Sequence, residues 1–549
     1  MIKFNLKTLS IELNINSKIF EKILALFNKH ALIIISTILS FVSIYFFYYY
    51  LNNRLGLAYN DARSHLDIGR RVVEGLKPGL AQLGSVWLPL PHLLMVPTIW
   101  NDFMWHSGLS GALESMIAFV ITGVLIYSFL QKIGVGMFGR ILGVLVFVLN
   151  LNVLYLQSIA MTEFLLIATM TAGVYELVIW SKDNKILSLI KSSFWIMLSS
   201  LVRYDGWFLF AFAAFLISLI IFKKHGYKTT EGMIILFCTL GGFGIFLWLF
   251  WNQLIFKDAL YFAFGPFSAR AQQIQMEQAG VLMTKGNILL SLKVYLYALI
   301  YNSNAFIALL GLFGAIVLWF DKNLKLEIRI ASIALIAPLL FNILALYIGH
   351  SVLFIQGISG NTWFNVRYGI MMMPSIAIFV GFLVHKLKQL RWVIVGLFVF
   401  VTFFSFANKD AVTIDDAQVG SSQKNVTEVS SWLNKNTKDK KGFILISAAS
   451  HDAIIFSSGL PMKRFIHEGT GLYWESATTS PDRWARWIVM RTYDNNDITY
   501  KAVSKTPGFK YYKLVDHYPF ADIYELKEEF IGNLNTEPVS GKVKFYSPI

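Results

Sequence analysis

Carboxylates and arginines in this chain stand beside long apolar segments, where charged residues are otherwise rare. Asp61 and Glu163 are the carboxylates in such positions, and Arg203 and Arg367 are the arginines. A carboxylate placed there can accept a proton from an attacking hydroxyl, and an arginine can stabilise the charge that develops on a phosphate leaving group. These residue types favour the transfer of a group from a lipid-linked phosphate whose lipid lies in the bilayer.

Residues 59–76 form the first segment that carries such charges. Apolar residues recur at 62, 66, 69, 72, 73 and 76, the spacing of an amphipathic helix lying in the membrane interface. Asn60 is the expected N-cap, so Asp61 falls in the first turn and His65 lies one turn further along the same face. His65 either orients the Asp61 carboxylate or only packs against its neighbours.

Two further charge pairs, Arg63–Asp67 and Arg70–Glu74, share other faces of this helix at i,i+4 spacing. Oppositely charged side chains at this spacing are neighbours on a helix surface. We therefore expect two ion pairs on a solvated face.

The later candidates each have a simpler alternative role. Glu163 is a candidate functional residue, because ionisable residues within membrane spans usually have a function. Its alternative role is to anchor the end of a span at the membrane interface. Arg203 either faces the site or pairs with Asp205 to close a turn between two spans. Arg367, followed by Tyr368, either binds a ligand or extends its side chain to the interface.

The elements that must position these residues are membrane spans. Of the 549 residues, 56% are hydrophobic and 15% are charged, whereas soluble domains have about 45–50% and about 25%. This composition excludes an ordinary cytosolic enzyme, a disordered chain and a disulfide scaffold, and the lone Cys238 excludes an intrachain disulfide. Apolar residues cluster in blocks of about twenty, the length that crosses a bilayer. We place eleven spans, at residues 31–51, 113–130, 140–158, 162–180, 190–203, 206–222, 233–251, 303–320, 330–349, 367–385 and 392–408.

The charge distribution predicts the orientation of these spans. Residues 1–408 carry 30 Lys/Arg and 16 Asp/Glu, whereas the remainder carries 18 and 17. The positive excess therefore belongs to short loops, not to a nucleic-acid-binding surface. With the N-terminus inside, the inner segments hold 19 of the 30 basic residues, as the positive-inside rule requires. The predicted organisation of this multi-pass cell-membrane protein is a cytoplasmic segment 1–30, a transmembrane domain 31–408 with outer loops 52–112 and 252–302, and an extracytoplasmic α/β domain 409–549.

The C-terminal region has short apolar runs typical of a small α/β domain. Strands are predicted at 442–447, 487–491 and 521–526, and a capped helix at 421–436.

Motifs for several other functions are missing from the sequence. It contains no Gly-rich phosphate loop, no HExxH, no paired CxxC and no nucleophile elbow, which argues against an ATP-driven pump. A secondary transporter or lipid flippase is the main alternative, and a non-catalytic scaffold is the second. Transporters usually carry broken helices and two related halves, and the sequence indicates neither.

Four stretches together resemble the GT-C superfamily of polyprenyl-phosphate-sugar-dependent glycosyltransferases. The resemblance is greatest to the branch of protein O-mannosyltransferases, aminoarabinose transferases and Rgt-like members, and it covers roughly residues 31–408. The matching stretches are Asn60-Asp61-Ala62-Arg63, Ala160-Met161-Thr162-Glu163, Leu201-Val202-Arg203-Tyr204-Asp205-Gly206-Trp207 and Asn365-Val366-Arg367-Tyr368-Gly369.

The resemblance implies a polytopic α-helical enzyme with an inverting mechanism. Its donor would be a polyprenyl- or dolichyl-phosphate sugar, and its acceptor a lipid, a cell-surface glycan or a protein, with membrane lipids around it and no nucleic acid. Asp61 would be the catalytic base, and Glu163 a second acidic residue that binds the acceptor or a divalent ion. The implied phosphate-binding residues are Arg203, Arg367 and Arg270, and the implied supporting residues are His65, Arg63, Tyr368 and Asp205.

The chain departs from the family directly after Asp61. Many members have a second acidic residue there, whereas this sequence has Ala62. Glu163 and Asp67 are the carboxylates left to complete a metal site, so a divalent cation stays an open cofactor.

Overall fold

A computed structural model describes residues 17–265, 268–278, 280–387, 389–419 and 423–536. Residues 1–16 of the predicted cytoplasmic segment lie outside this part of the chain, as do the first two residues of the helix predicted at 421–436. The helices up to the last apolar segment are α1 (Ser17–Asn52), α2 (Asn60–Val73), α3 (Leu90–Ile99), α4 (Asp102–His106), α5 (Leu109–Lys132), α6 (Met137–Val148), α7 (Leu151–Leu156), α8 (Glu163–Asp183), α9 (Ile186–Ser200), α10 (Asp205–Phe256), α11 (Tyr261–Phe264), α12 (Ala269–Gln278), α13 (Ile288–Ser303), α14 (Ala305–Phe320), α15 (Leu326–Ser332), α16 (Ala337–Tyr347), α17 (Met373–Lys386) and α18 (Arg391–Asn408).

Eight helical segments within the described residues are long and apolar enough to cross a bilayer, and a bent pair of helices makes a ninth. Two long helices change direction at non-helical residues, α1 at His30 and α10 at Gly226. The eight segments are Lys29–Asn52, Leu109–Lys132, Glu163–Asp183, Asp205–Lys224, Gly226–Phe256, Leu326–Tyr347, Val366–Lys386 and Arg391–Gln418.

Every one of the eleven predicted spans contains a helix, but three differ from a full span. The block at 140–158 is divided between α6 and α7 by a turn in which Asn150 caps α7. The block at 190–203 is the 15-residue helix α9, shorter than the roughly 20 residues that span a bilayer. The block at 303–320 is the second arm of the bent pair.

The bent pair is a feature that the sequence did not indicate. Helices α13 and α14 meet at Asn304 with an angle of 108°. Asn304 has a positive φ of 73° and accepts a hydrogen bond from the Phe306 backbone N–H, so it ends one helix and caps the next. The expectation that the chain has no broken helix is therefore wrong.

Two spans lie at the centre of the bundle. In the segments Glu163–Asp183 and Val366–Lys386, 78% and 89% of the residues in the apolar 18-residue stretch are buried. Helix α8 packs on α5 and α9, and α17 packs on α6 and α14. Charged residues at the start of these two spans are therefore held inside the protein and away from lipid.

The C-terminal region forms a five-stranded sheet with helices on both faces. The strand order is β2–β1–β3–β5–β4, with β1 parallel to β2 and β3, and β5 antiparallel to β3 and β4. The strands are β1 (Phe443–Ile446), β2 (Phe465–Ile466), β3 (Ala485–Met490), β4 (Tyr512–His517) and β5 (Asp522–Leu526), and the helices are α19 (Val412–Val419), α20 (Gln423–Thr437), α21 (Ala448–Ser457), α22 (Leu472–Thr479), α23 (Ile498–Val503) and α24 (Glu528–Ile531).

Alternation along β1 divides the core of this region in two. Ile444 and Ile446 pack with apolar residues of α20 and α21, whereas Leu445 packs on the other face with residues of α22 and α23. The predicted strands at 442–447, 487–491 and 521–526 correspond to β1, β3 and β5. Strands β2 and β4 were missed, since β2 has two residues and β4 is largely exposed and has no alternation of apolar and polar residues.

Candidate active site

The predicted charged residues meet where four segments begin. Asp61 lies in the first turn of α2, and Glu163 and Asp205 are the first residues of α8 and α10. Arg367 is the second residue of the 3₁₀ helix Val366–Met372, which leads into α17. A helix start carries unpaired N–H groups and the positive end of the dipole. All three carboxylates therefore lie at the helix ends that attract negative charge.

Arg367 is the centre of the cluster. Its Nη2 donates to Asp61 Oδ2 at 2.6 Å, and its Nε donates to Glu163 Oε1 at 3.0 Å. The side chains of Arg367 and Glu163 are 6% and 0% exposed, whereas that of Asp61 is 45% exposed. Arg367 and Glu163 thus form a buried pair, and Asp61 is the carboxylate that solvent can reach.

Arg203 forms the other side of the cluster. Its Nη1 lies 3.5 Å from Glu163 Oε1, and its Nε donates to Asp205 Oδ2 at 3.3 Å. Both sequence-based alternatives for Arg203 are therefore realised, because it closes the turn with Asp205 and also faces the site. Burial alone would lower the pKa of Arg203, but the neighbouring Tyr368 and the two carboxylates outweigh burial and raise it.

Two tyrosine rings line the arginines. The Arg367 guanidinium carbon lies 4.8 Å from the centre of the Tyr59 ring and 5.3 Å from that of Tyr368, and the Arg203 carbon lies 4.8 Å from Tyr368. Such cation–π contacts favour a fixed position of the guanidinium planes. Tyr368, expected as a supporting residue, thus stands between both arginines.

One buried carboxylate oxygen of the cluster has no protein partner. Glu163 Oε1 accepts from both arginines, whereas Glu163 Oε2 is buried and has no hydrogen-bond partner among the described residues. Buried polar atoms are nearly always hydrogen-bonded in native structures. Glu163 Oε2 is therefore an exception, an acceptor that the protein encloses and the described residues leave unused.

His65 does not face Asp61, although it lies one turn further along α2. Its Nδ1 is 2.9 Å from His92 Nε2, and its ring centre is 4.3 Å from that of Trp87. Burial, helped by the charges of Arg203 and Arg367, lowers the pKa of His65 to about 3. The imidazole is neutral at physiological pH, and of the two sequence alternatives the structure has the packed one.

The predicted Arg63–Asp67 ion pair is absent, and this expectation is wrong. Arg63 Nε donates to the Leu57 carbonyl at 3.0 Å, and its Nη1 donates to Ser457 Oγ of α21 at 3.2 Å. Asp67 is completely buried, because the packing of α21 on α2 covers the face that the sequence suggested was solvated. This burial raises the pKa of Asp67, against the opposing charge of Arg71.

The second predicted pair on α2 is present. Arg70 Nε donates to Glu74 Oε2 at 2.6 Å, and Arg70 Nη2 also donates to Asp102 Oδ1 at 2.6 Å. The N-cap of α2 falls on Tyr59, one residue before the predicted Asn60.

Arg270 lies apart from the cluster. It stands over the Phe264 ring and lines a cavity of about 520 Å³ whose wall includes Tyr204, the residue after Arg203. The cavity is mainly apolar, with positive side chains from Arg270 and Lys285. The other lining residues are Val86, Phe262, Ala263, Phe264, Gln273, Ile274, Glu277, Ile348 and His350.

Tyr59 and Asp416 are site residues that sequence reasoning missed. The Tyr59 hydroxyl donates to Asp416 Oδ2 at 3.0 Å. Burial, followed by the charge of Asp416, raises the pKa of Tyr59, so the phenol stays a donor. Tyr59 directly precedes the quoted Asn60-Asp61 stretch, which was the available signal. Asp416 lay in a charge-balanced region and gave none.

No group of three or more His, Cys, Asp or Glu side chains in the described part of the chain has the arrangement of a metal site. Asp61 and Glu163 both bind Arg367, and Asp67 lies elsewhere on α2.

Fold and site together define a polytopic α-helical membrane protein with an acidic and arginine-rich cluster at one end of its helices and a C-terminal sheet region. No family model matches the chain, and no curated protein matches it in sequence.

Two solved structures show the same fold. ArnT from Cupriavidus metallidurans bound to undecaprenyl phosphate superposes with a TM-score of 0.52 at 9% identity, over 89% of this chain and 98% of ArnT. The apo state of the same protein gives 0.51 at 9% identity, over 85% and 94%. The likeness covers both the membrane helices and much of the C-terminal region.

Proposed function

We propose that this chain is an integral membrane glycosyltransferase. It transfers a monosaccharide from a polyprenyl- or dolichyl-phosphate donor to a hydroxyl of an acceptor on the outer face of the membrane. The observation that carries this proposal is the Asp61–Arg367–Glu163–Arg203 cluster, because it combines arginines for a phosphate with an accessible carboxylate for a hydroxyl. The fold shared with ArnT, whose structure contains undecaprenyl phosphate, supports a lipid-linked donor.

The reaction is a direct displacement at the anomeric carbon. Asp61 accepts the proton of the acceptor hydroxyl, and the acceptor oxygen forms a bond to the anomeric carbon. The bond between that carbon and the phosphate oxygen breaks, and its electron pair stays on the lipid phosphate. Attack from the face opposite the leaving group inverts the configuration. Asp61 is suited to the role because it is the most exposed carboxylate of the cluster.

The arginines stabilise the leaving phosphate in this scheme. A guanidinium has five N–H donors, and Arg367 commits its Nε and Nη2 to Glu163 and Asp61. Its Nη1 makes no hydrogen bond with the described residues and can donate to a phosphate oxygen. Glu163 holds both arginines through Oε1.

The cavity beside Tyr204 is the proposed site for the lipid end of the donor. Its apolar wall suits isoprenoid units, and Arg270 adds positive charge near an anionic headgroup, whereas Lys285 is paired with Glu277 at 2.5 Å. In this arrangement Arg270 attracts the donor, while Arg203 and Arg367 contact the phosphate that leaves.

The bend between α13 and α14 favours one alternative, a transporter or flippase for lipid-linked sugars. Broken helices are common in transporters, and this one turns by 108°. A flippase would move the lipid across the bilayer and leave its sugar–phosphate bond intact.

The test is to incubate purified protein with a panel of synthetic polyprenyl-phosphate sugars and a membrane extract as acceptor. Release of polyprenyl phosphate by the wild type, lost in Asp61→Asn and retained in Asp67→Asn, is the expected result. Transfer of intact donor across liposome membranes without any release would overturn the proposal and support the flippase.

A further inference from the structure

Arg367 has a buried hydrogen-bond network behind it that the reaction scheme does not use. Its guanidinium carbon lies 4.8 Å from the centre of the Tyr59 ring, a contact additional to those with its two carboxylates. The Tyr59 hydroxyl donates to Asp416 Oδ2 at 3.0 Å and lies 2.9 Å from the Thr413 carbonyl oxygen. Tyr59, Asp416 and Thr413 are at most 5% exposed, so water does not compete for these contacts.

The network continues from Thr413 back to the segment that carries Arg367. The Thr413 N–H and hydroxyl donate to Asn152 Oδ1 at 3.0 and 2.8 Å. Asn152 Nδ2 donates to the Asn302 carbonyl at 3.2 Å, and Asn302 Nδ2 donates to the Val366 carbonyl at 2.7 Å. Val366 directly precedes Arg367 in the chain. The contacts therefore form a closed ring around the arginine.

The ring joins segments that are distant in sequence. Tyr59 precedes α2, Asn152 lies in α7, Asn302 lies in the last turn of α13, and Thr413 and Asp416 lie in α19. Gly369, in the same 3₁₀ helix as Arg367, has no room for a Cβ because the Ala298 backbone lies against it. Close packing of the 3₁₀ helix on α13 and the hydrogen bond from Asn302 to the Val366 carbonyl thus fix the backbone beside Arg367.

We propose that Asp416 is a positioning residue that holds Arg367 through Tyr59, so that α19, which links the last apolar helix to the sheet region, is part of the phosphate-binding site. Asp416 sets the orientation of the Tyr59 ring, and this ring supports the guanidinium from behind. The catalytic consequence rests on the proposed function of Arg367, whereas the structural consequence does not.

The experiment compares Asp416→Leu, Asp416→Asn and Tyr59→Phe, with Asp415→Asn as the matched control because Asp415 is exposed. Two quantities are measured on the full-length protein: amide hydrogen exchange of residues 366–372, and KM and kcat for polyprenyl-phosphate sugar.

Asp416→Leu and Tyr59→Phe should each increase exchange of residues 366–372 and raise the donor KM about tenfold, the effect of losing one hydrogen bond to a charged group. The double variant should be no worse than Tyr59→Phe alone, because Tyr59→Phe already removes the contact with Asp416 together with the one to the Thr413 carbonyl. Asp416→Asn keeps an acceptor for the Tyr59 hydroxyl and should restore near-normal values, and Asp415→Asn should change nothing.

Two results would overturn the positioning role: unchanged exchange at 366–372 in Asp416→Leu, or fully additive effects of the two single variants. Increased exchange with no release of polyprenyl phosphate by the wild type would leave the positioning role intact and refute the proposed function.

Discussion

Replacing Asp61 by Asn separates the proposed base from its structural role. Asp61 Oδ2 accepts a 2.6 Å hydrogen bond from Arg367 Nη2, and an Asn oxygen can accept the same bond. The Asp61 side chain is 45% exposed, so solvent already screens its charge, and removing that charge should change the free energy of unfolding little. The variant should fold normally and lack only the ability to accept a proton.

The size of the effect follows from the chemistry that is removed. General base catalysis contributes about 10²–10⁴-fold to rate, which corresponds to about 2.7–5.4 kcal/mol of barrier. We therefore expect kcat of Asp61→Asn to fall at least about a hundredfold, while affinity for polyprenyl phosphate changes by less than about tenfold.

The assay follows release of polyprenyl phosphate at saturating donor, and lipid-phosphate affinity is measured separately by thermal stabilisation. Asp67→Asn is the matched control, because Asp67 lies on the same helix but outside the cluster, and it should retain turnover. Near-normal turnover in Asp61→Asn together with loss in Glu163→Gln would refute the reasoning and make Glu163 the base.

Three further predictions concern charge, topology and pH. Arg367→Ala should lower the rate of transfer from the lipid-linked donor at least about tenfold. It should also destabilise the protein by about 3–5 kcal/mol, because it removes the arginine that lies nearest to buried Glu163. Adding Glu163→Gln should restore thermal stability but not activity. A reporter fused after Ile549 should behave as extracytoplasmic, given the bias of basic residues towards the predicted inner loops, and a cytoplasmic signal would contradict both topology and mechanism. Burial raises the pKa of Asp67, so the folded state holds this proton at higher pH than the unfolded state, and stability should fall as pH rises above the usual range of an aspartate; Asp67→Asn should weaken this dependence in melting experiments at pH 4–8.

The length of the apolar runs was enough to locate the membrane helices, though not the bend between α13 and α14, because crossing a bilayer requires a continuous apolar run. It also marked Asp61, Glu163, Arg203 and Arg367, since charges at the ends of such runs are rare and costly. The strands β1, β3 and β5 were predicted from the short apolar runs of the C-terminal region. Local patterns succeeded wherever the environment of a residue is set by its own segment.

Only the tertiary structure decided which of these residues meet. Arg367 contacts Glu163 and Asp61 across 204 and 306 residues of sequence, and local spacing carries no information about such pairs. His65 contacts His92 in the protein interior and not Asp61. Asp67 is buried, although a solvated position was expected, because α21 packs on α2. Asp416 joined the site only through folding of α19 against Tyr59. The apolar pattern of a single segment predicts which of its residues are buried, whereas the partners of its polar side chains depend on how all the elements pack.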